Sequence, residues 1–187
     1  MTDVEIRPVA PGDAGEVLTI QRAAFASEAL IYADPDQPPL TQTLEQLEAE
    51  LLRAQGFVAV MDGRIVGAIR GRESDGILQI GRIAVAPDMQ GEGIGGMLLA
   101  AMEEKTSCRE AELFTGSLSE ANIALYSECG YRETERIDQG DGTAQVFMRK
   151  SLRRGRDAST ADDPDVRDPD LAAATRAQAN ADAARTG

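Results

Sequence analysis

Arg82-Ile-Ala-Val-Ala-Pro-Asp-Met-Gln-Gly-Glu-Gly-Ile-Gly-Gly-Met-Leu-Leu99 is the stretch on which the reading of this chain turns. An apolar run containing Ile83 and Val85 ends at Pro87, and a glycine string follows at Gly91, Gly93, Gly95 and Gly96. The string passes directly into residues 97–105, rich in good helix formers. Glycine lets the backbone turn tightly and approach a ligand with no Cβ in the way. The unpaired N–H groups of a helix start, together with its dipole, attract an anion. Strand, glycine loop and helix start therefore predict a phosphate cradle.

Spaced as Gly91-x-Gly93-x-x-Gly96, the loop matches a dinucleotide-binding fingerprint. That fingerprint belongs to the first strand of a parallel βαβ unit, with an acidic residue about 20 positions on, at the end of the next strand. Here Asp62-Gly63 and Asp75-Gly76 predict antiparallel hairpins before the loop. Glu110 and Glu112 precede the next apolar run, Leu113-Phe114-Thr115, and do not end it. No Gly-Lys-Ser/Thr follows the glycines, which removes a nucleoside-triphosphate loop.

Working outward, residues 4–9 alternate as a first strand. Asp13 caps a helix to about Phe25, striped by Val17, Leu18, Ile20, Gln21 and Ala24. Residues 33–39, rich in proline and aspartate, form a loop, and Thr41 or Thr43 starts a second helix. Three strands, at 56–61, 64–72 and 77–85, make a meander leading to the loop. A helix to about Thr106, a strand at 112–115, a helix at 120–128 capped by Ser117 or Ser119, and strands near 131–137 and 143–150 complete the domain. The pattern is α+β.

The domain ends at about residue 151. From Ser151 onward there are six arginines, seven aspartates and no aromatic residue, so the expectation for 152–187 is a disordered tail rich in Ala, Asp and Arg. Nearly all of the net charge of −13 then sits on the body, which disfavours nucleic acid as a partner. An acidic body attracts cationic molecules, and it also simply keeps a protein in solution. No run approaches the roughly 18 apolar residues of a membrane span, and the acidic N-terminus is unlike a signal peptide. Histidine is absent, and Cys108 and Cys129 form no Cys-x-x-Cys, so neither a metal site nor a histidine-assisted nucleophile is expected. Two free thiols fit a reducing, cytoplasmic setting.

Spaced instead as Gln90-x-x-Gly93-x-Gly95, the loop resembles the acetyl-CoA signature of the GCN5-related N-acetyltransferases (GNAT), Gln/Arg-x-x-Gly-x-Gly/Ala after the central fourth strand. A second block, Asn122-Ile-Ala-Leu-Tyr126-Ser-Glu-Cys-Gly130-Tyr131, is similar to the family's next motif, an Asn and a Tyr on a helix ahead of Gly-Phe/Tyr. Asn122 and Tyr126 are four apart, so a helix carries both on one face. The resemblance covers residues 4–150. It implies an acyl-CoA N-acyltransferase fold, a mixed and mostly antiparallel sheet of about six to seven strands with helices on both faces.

The resemblance also implies roles. Main-chain groups of Ile83, Ala84 and Val85 would pair with the pantetheine arm of acetyl-CoA, one N–H stabilising the oxyanion that forms during transfer. The N–H groups of Gly91, Glu92, Gly93, Ile94, Gly95 and Gly96 would hold the pyrophosphate, with Gln90 turned inward to brace the loop. Asn122 would hydrogen-bond the arm. Tyr126, a phenol with an ordinary pKa of about 10, would supply the proton to the departing thiolate. Tyr131 packs. For the base that receives the amine's proton, Glu28 is the first candidate and Glu73 the second. Tyr32 and residues 33–39 would shape the acceptor pocket, or merely connect helices. The implied activity is direct acetyl transfer to a primary amine, with no metal; a homodimer is common in such families. Two other readings stay open: an acyl-CoA-sensing module without turnover, and a nicotinamide oxidoreductase.

Overall fold

The computed structural model describes residues 3–152. Leu152, expected in the tail, instead donates its N–H to Arg109 O at 2.7 Å and packs against the core; the rest of the expected tail lies outside the described residues. Seven strands form one sheet: β1 (Glu5–Pro8), β2 (Gln55–Met61), β3 (Arg64–Ser74), β4 (Ile77–Val85), β5 (Glu110–Gly116), β6 (Arg132–Asp138) and β7 (Ala144–Ser151). Their order is β1-β2-β3-β4-β5-β7-β6, and every neighbouring pair is antiparallel except β4 with β5. Both predicted hairpins are present. Asp62 and Gly63 have φ of 52° and 75°, Asp75 and Gly76 of 52° and 77°, so each pair supplies the two positive φ values that a tight two-residue turn requires.

Five helices flank the sheet: α1 (Ala14–Tyr32), α2 (Pro38–Thr41), α3 (Leu44–Leu51), α4 (Ile94–Lys105) and α5 (Glu120–Glu128). Strand alternation sorts the core into two layers. Val58, Ile65, Ala68 and Ala84 meet Val17, Leu18 and Ile20 of α1 and Leu47 of α3 on one face. Phe57, Ile69, Leu78 and Ile80 meet Ile94, Leu98, Leu99 and Met102 of α4 on the other. Glycines on β3 bring α4 close, because a Cβ on Gly67 would lie 2.9 Å from Ile94 Cγ2 and one on Gly71 2.6 Å from Met102 Cε. No helix among the described residues is long and apolar enough to cross a membrane.

Several boundaries differ from expectation, each for a physical reason. Helix α1 continues to Tyr32, since residues 26–32 contain no breaker, and it ends only where Ala33 takes φ 51°. Asp13 occupies the N-cap position, but its carboxylate accepts two bonds from Arg7, at 2.7 and 2.9 Å, and the Ala10 N–H. The proline-rich loop contains the short helix α2. Thr43 does cap α3, accepting the Gln46 N–H while Gln46 returns a bond to the Thr43 N–H. Helix α4 begins inside the glycine string, at Ile94, and so takes in Gly95 and Gly96.

Candidate active site

Strands β4 and β5 are joined by three residue pairs, Ile77↔Glu110, Leu78↔Ala111 and Gln79↔Glu112. Beyond Gln79, β4 runs on to Val85 paired with β3, and β5 runs on to Gly116 paired with β7. The two strands therefore part as a fork toward their C-terminal ends. A bulge lies just past the parting point. Ile69 faces Ile83 and Gly71 faces Ile80, so Gly81 and Arg82 together stand opposite Arg70. Bulges of this kind increase twist and bend the strand that carries them. Ile83, Ala84 and Val85 form one lip of the fork. Peptide groups alternate between the two sides of a strand, so this lip presents main-chain donors and acceptors that the register does not pair with β5.

The glycine loop continues from that lip. Ala86 N–H bonds to Val66 O at 2.9 Å, a single 3-10 turn covers Pro87–Met89, and the Gln90 amide donates to Val85 O at 3.4 Å, folded back along the loop. Gly91 and Gly93 have φ of 86° and 77°, and a Cβ on either would meet nothing within 4 Å. Backbone conformation, not space, requires glycine there. Glu92, between them, is exposed. The first helical bond of α4 runs from Met97 N–H to Gly93 O, leaving the N–H groups of Ile94, Gly95 and Gly96 without helical acceptors. Ile94 is itself buried, so it offers this site backbone only. Gly95 serves packing as well, since a Cβ would lie 2.9 Å from Leu125 Cδ2 of α5.

The end of α1 meets the corner between β5 and α5. Ser119 Oγ donates to Glu28 Oε2 at 2.5 Å, and the Asn122 amide donates to Glu28 Oε1 at 3.3 Å. Tyr32 Oη accepts the Leu118 N–H at 2.9 Å and lies 3.0 Å from Ser119 Oγ. Tyr126, one turn beyond Asn122, is buried at 8% exposure and packs edge-on against Tyr131 with centroids 6.4 Å apart. Burial, and then the nearby Glu28 charge, push the Tyr126 phenol well above its ordinary value. The structure thus brings Glu28, Asn122 and Tyr126 together beside the fork.

A family model described as an acetyltransferase (GNAT) domain matches residues 33–152. The chain belongs to the GNAT acetyltransferase family. The aminoglycoside N(6′)-acetyltransferase type 1 of Stenotrophomonas maltophilia is 32% identical over 148 residues, covering 71% of this chain and 88% of that protein. Among solved structures, the PaiA N-acetyltransferase of Thermoplasma acidophilum in complex with coenzyme A has a TM-score of 0.63 at 19% identity, covering 80% of this chain and 99% of that one. Salmonella typhimurium yncA, solved with acetyl-CoA, has a TM-score of 0.64 at 20% identity, covering 86% of this chain and all of the other.

The remaining positions can be placed on the GNAT sheet. Glu73 lies near the end of β3, on the edge of the fold away from the glycine loop. Its carboxylate accepts the Thr106 hydroxyl at 2.7 Å and the Ser107 N–H and hydroxyl at 3.0 and 3.1 Å. These bonds tie off the end of α4 and hold the carboxyl below its usual range. Glu73 is a cap, remote from Glu28 and Tyr126. Tyr131 packs as expected: its hydroxyl donates to Glu103 at 2.8 Å, and Lys150 pairs with the same carboxylate at 2.6 Å. Cys108 and Cys129 are both free thiols.

Two sets of residues escaped the sequence reading. Ser119 sits at the N-cap of α5 without capping it, because its hydroxyl serves Glu28; Ser117 instead accepts the Ala144 N–H at 2.9 Å. Beneath α1 to α3 lies a buried polar network. Arg70, 3% exposed, donates to Glu50 at 2.9 Å and to Gln21 at 2.8 Å; Gln21 donates to Pro39 O at 2.7 Å; Gln42 donates to Glu50 at 2.6 Å. Two signals were available: an arginine inside an apolar strand, and a glutamine inside the apolar stripe of α1.

Proposed function

We propose that this GNAT domain transfers the acetyl group of acetyl-CoA directly to a primary amine in a ternary complex, the acceptor being a small cationic molecule or a peptide amine. The observation that carries the reading is the convergence on the fork of a carboxylate, Glu28, with Asn122 and Tyr126. The fit to the co-substrate rests on two features of the fork. Two left-handed glycines lead into a helix start with free N–H groups, which suits a pyrophosphate. The lip at Ile83, Ala84 and Val85 offers an unpaired strand edge, which suits an extended arm bearing amides. When bound there, acetyl-CoA supplies an activated acyl group.

The protein's own residues do the rest. A main-chain N–H on the β4 lip polarises the acyl carbonyl. Tyr126 donates a proton to the departing sulfur; its raised pKa keeps the proton in place at any physiological pH. Glu28 receives the proton that the amine loses on attack. Cationic acceptors are favoured by the acidic body.

The test is thiol release from acetyl-CoA across a panel holding an aminoglycoside with a 6′-amine, spermidine, free amino acids and a peptide with a free N-terminus and a lysine. Turnover with any of these supports the proposal. A blank panel beside tight acetyl-CoA binding would favour an acyl-CoA-sensing module instead.

A further inference from the structure

The corner between α1 and α5 contains a hydrogen-bond chain whose direction is set at every link. A backbone N–H only donates, so Tyr32 Oη accepts from Leu118. A carboxylate only accepts, so the single Ser119 hydroxyl proton is committed to Glu28 Oε2. In the 3.0 Å contact between Tyr32 and Ser119 the phenol must then be the donor. The chain runs from the Leu118 N–H through the Tyr32 and Ser119 hydroxyls to Glu28, each donor polarising the next. Ser119 is 2% exposed, and Gly116 leaves room for the Tyr32 ring.

The same logic reaches Asn122. Because Glu28 Oε1 can only accept, the Asn122 amide must present Nδ2 to it, and the carbonyl Oδ1 is thereby turned away. An asparagine without this partner would sample both amide orientations. We propose that Glu28 is a positioning residue for Asn122, with Ser119 and Tyr32 holding Glu28 in place, so that the carboxylate at the acceptor end also orients the amide that binds the pantetheine arm. This inference rests on the acetyl-CoA reading above and adds to it a second role for Glu28, independent of proton transfer.

Calorimetric titration with acetyl-CoA alone tests it without any acceptor. Removing a negative charge from the protein should by itself tighten binding of an anionic ligand, if it changes it at all. Positioning predicts the opposite sign: Glu28→Ala weakens the Kd about three- to tenfold. In an Asn122→Ala background, Glu28→Ala no longer weakens it. Glu28→Gln keeps an oxygen for Asn122 and an amide for Ser119 Oγ, so its Kd stays within about twofold of wild type while turnover is lost. Ser119→Ala and Tyr32→Phe weaken binding by about two- to threefold, and Ser119→Thr restores it. The inference is overturned if Glu28→Ala binds as tightly as wild type or tighter, or weakens binding equally with and without Asn122. Wild-type protein that binds no acetyl-CoA would overturn the cofactor reading itself, a result distinct from either.

Discussion

The Tyr32 hydroxyl occupies the space above Gly116: a Cβ built on that glycine would lie 2.0 Å from Oη and 2.4 Å from Cζ. No rotation of a hydroxyl relieves a contact with the ring carbon, so Gly116→Ala must displace the whole side chain. Overpacking of this kind costs about 1–3 kcal/mol, and it also detaches Tyr32 from Leu118 and Ser119. Thermal unfolding should show a lowered midpoint for Gly116→Ala, and Tyr32→Ala combined with it should recover part of the loss. Additive effects in the double variant would sink this account.

Gly93 and Gly95 are predicted to fail in different ways. Gly93 has φ 77° with open space around its missing Cβ, so Gly93→Ala costs about 1–2 kcal/mol of backbone strain and disturbs the entry to α4. Gly95 is helical, and its substitution presses on Leu125 Cδ2 at 2.9 Å. Gly95→Ala with Leu125→Val should therefore be tolerated better than Gly95→Ala alone, whereas no neighbouring substitution should rescue Gly93→Ala. Acetyl-CoA titration and melting of the three variants would decide.

Tyr126→Phe keeps the ring packed on Tyr131 and removes the proposed proton donor. Turnover should drop by about 100-fold or more, while acetyl-CoA affinity changes little. Unchanged turnover would remove Tyr126 from the chemistry. Alkaline titration offers a separate check. Tyr126 and Tyr131 both have raised values, from burial first and then from Glu28 and Glu103 respectively. A phenol raised by folding stays protonated in the native state while the unfolded chain ionises, so stability is present below about pH 10 and is lost as pH rises above it. Phenolate absorbance from these two residues should appear together with unfolding.

For Glu50, burial raises the pKa, but the Arg70 charge and the bonds from Gln42 and Arg70 outweigh it, so the net value lies below the usual one. A lowered carboxylate contributes stability above its unfolded value of about 4.3, and that contribution is lost as pH falls through the folded value. Arg70→Met leaves Glu50 and Gln21 without their partner. It should cost about 2–3 kcal/mol at pH 7, less than for a fully enclosed pair because the Glu50 side chain is 37% exposed. Urea melts should show the gap between variant and wild type narrowing as pH falls through the lowered folded value of Glu50. A gap independent of pH would assign the loss to packing alone.

Much of the fold was legible because the signals are local. Asp62-Gly63 and Asp75-Gly76 name their own turns, the threonines at 41 and 43 mark a helix start, and α5 spans the predicted 120–128. The start of α4 was misjudged because glycine propensity argues against helix at 94–96, whereas the close approach to β3 and Leu125 decides in its favour. The corner at Glu28 was legible only as a list of candidates. Its hydrogen bonds join residues 86 to 94 positions apart, and no local pattern marks Ser119 as a partner of Glu28 rather than a cap.

An open sheet ordinarily has two edges. This one has four, because β4 and β5 each turn an unpaired side to the other past Gln79. One outer edge is guarded by charge, with Arg132, Glu133, Glu135, Arg136 and Asp138 along β6. The inner pair is guarded by shape. A foreign strand needs about 4.8 Å of ladder spacing on each side, and a wedge that closes to direct pairing at Gln79 denies it that room toward its apex. An unbranched chain with few amides meets no such obstacle. The protein can therefore keep an adhesive surface permanently open at its centre and still discourage its neighbours from sticking to it.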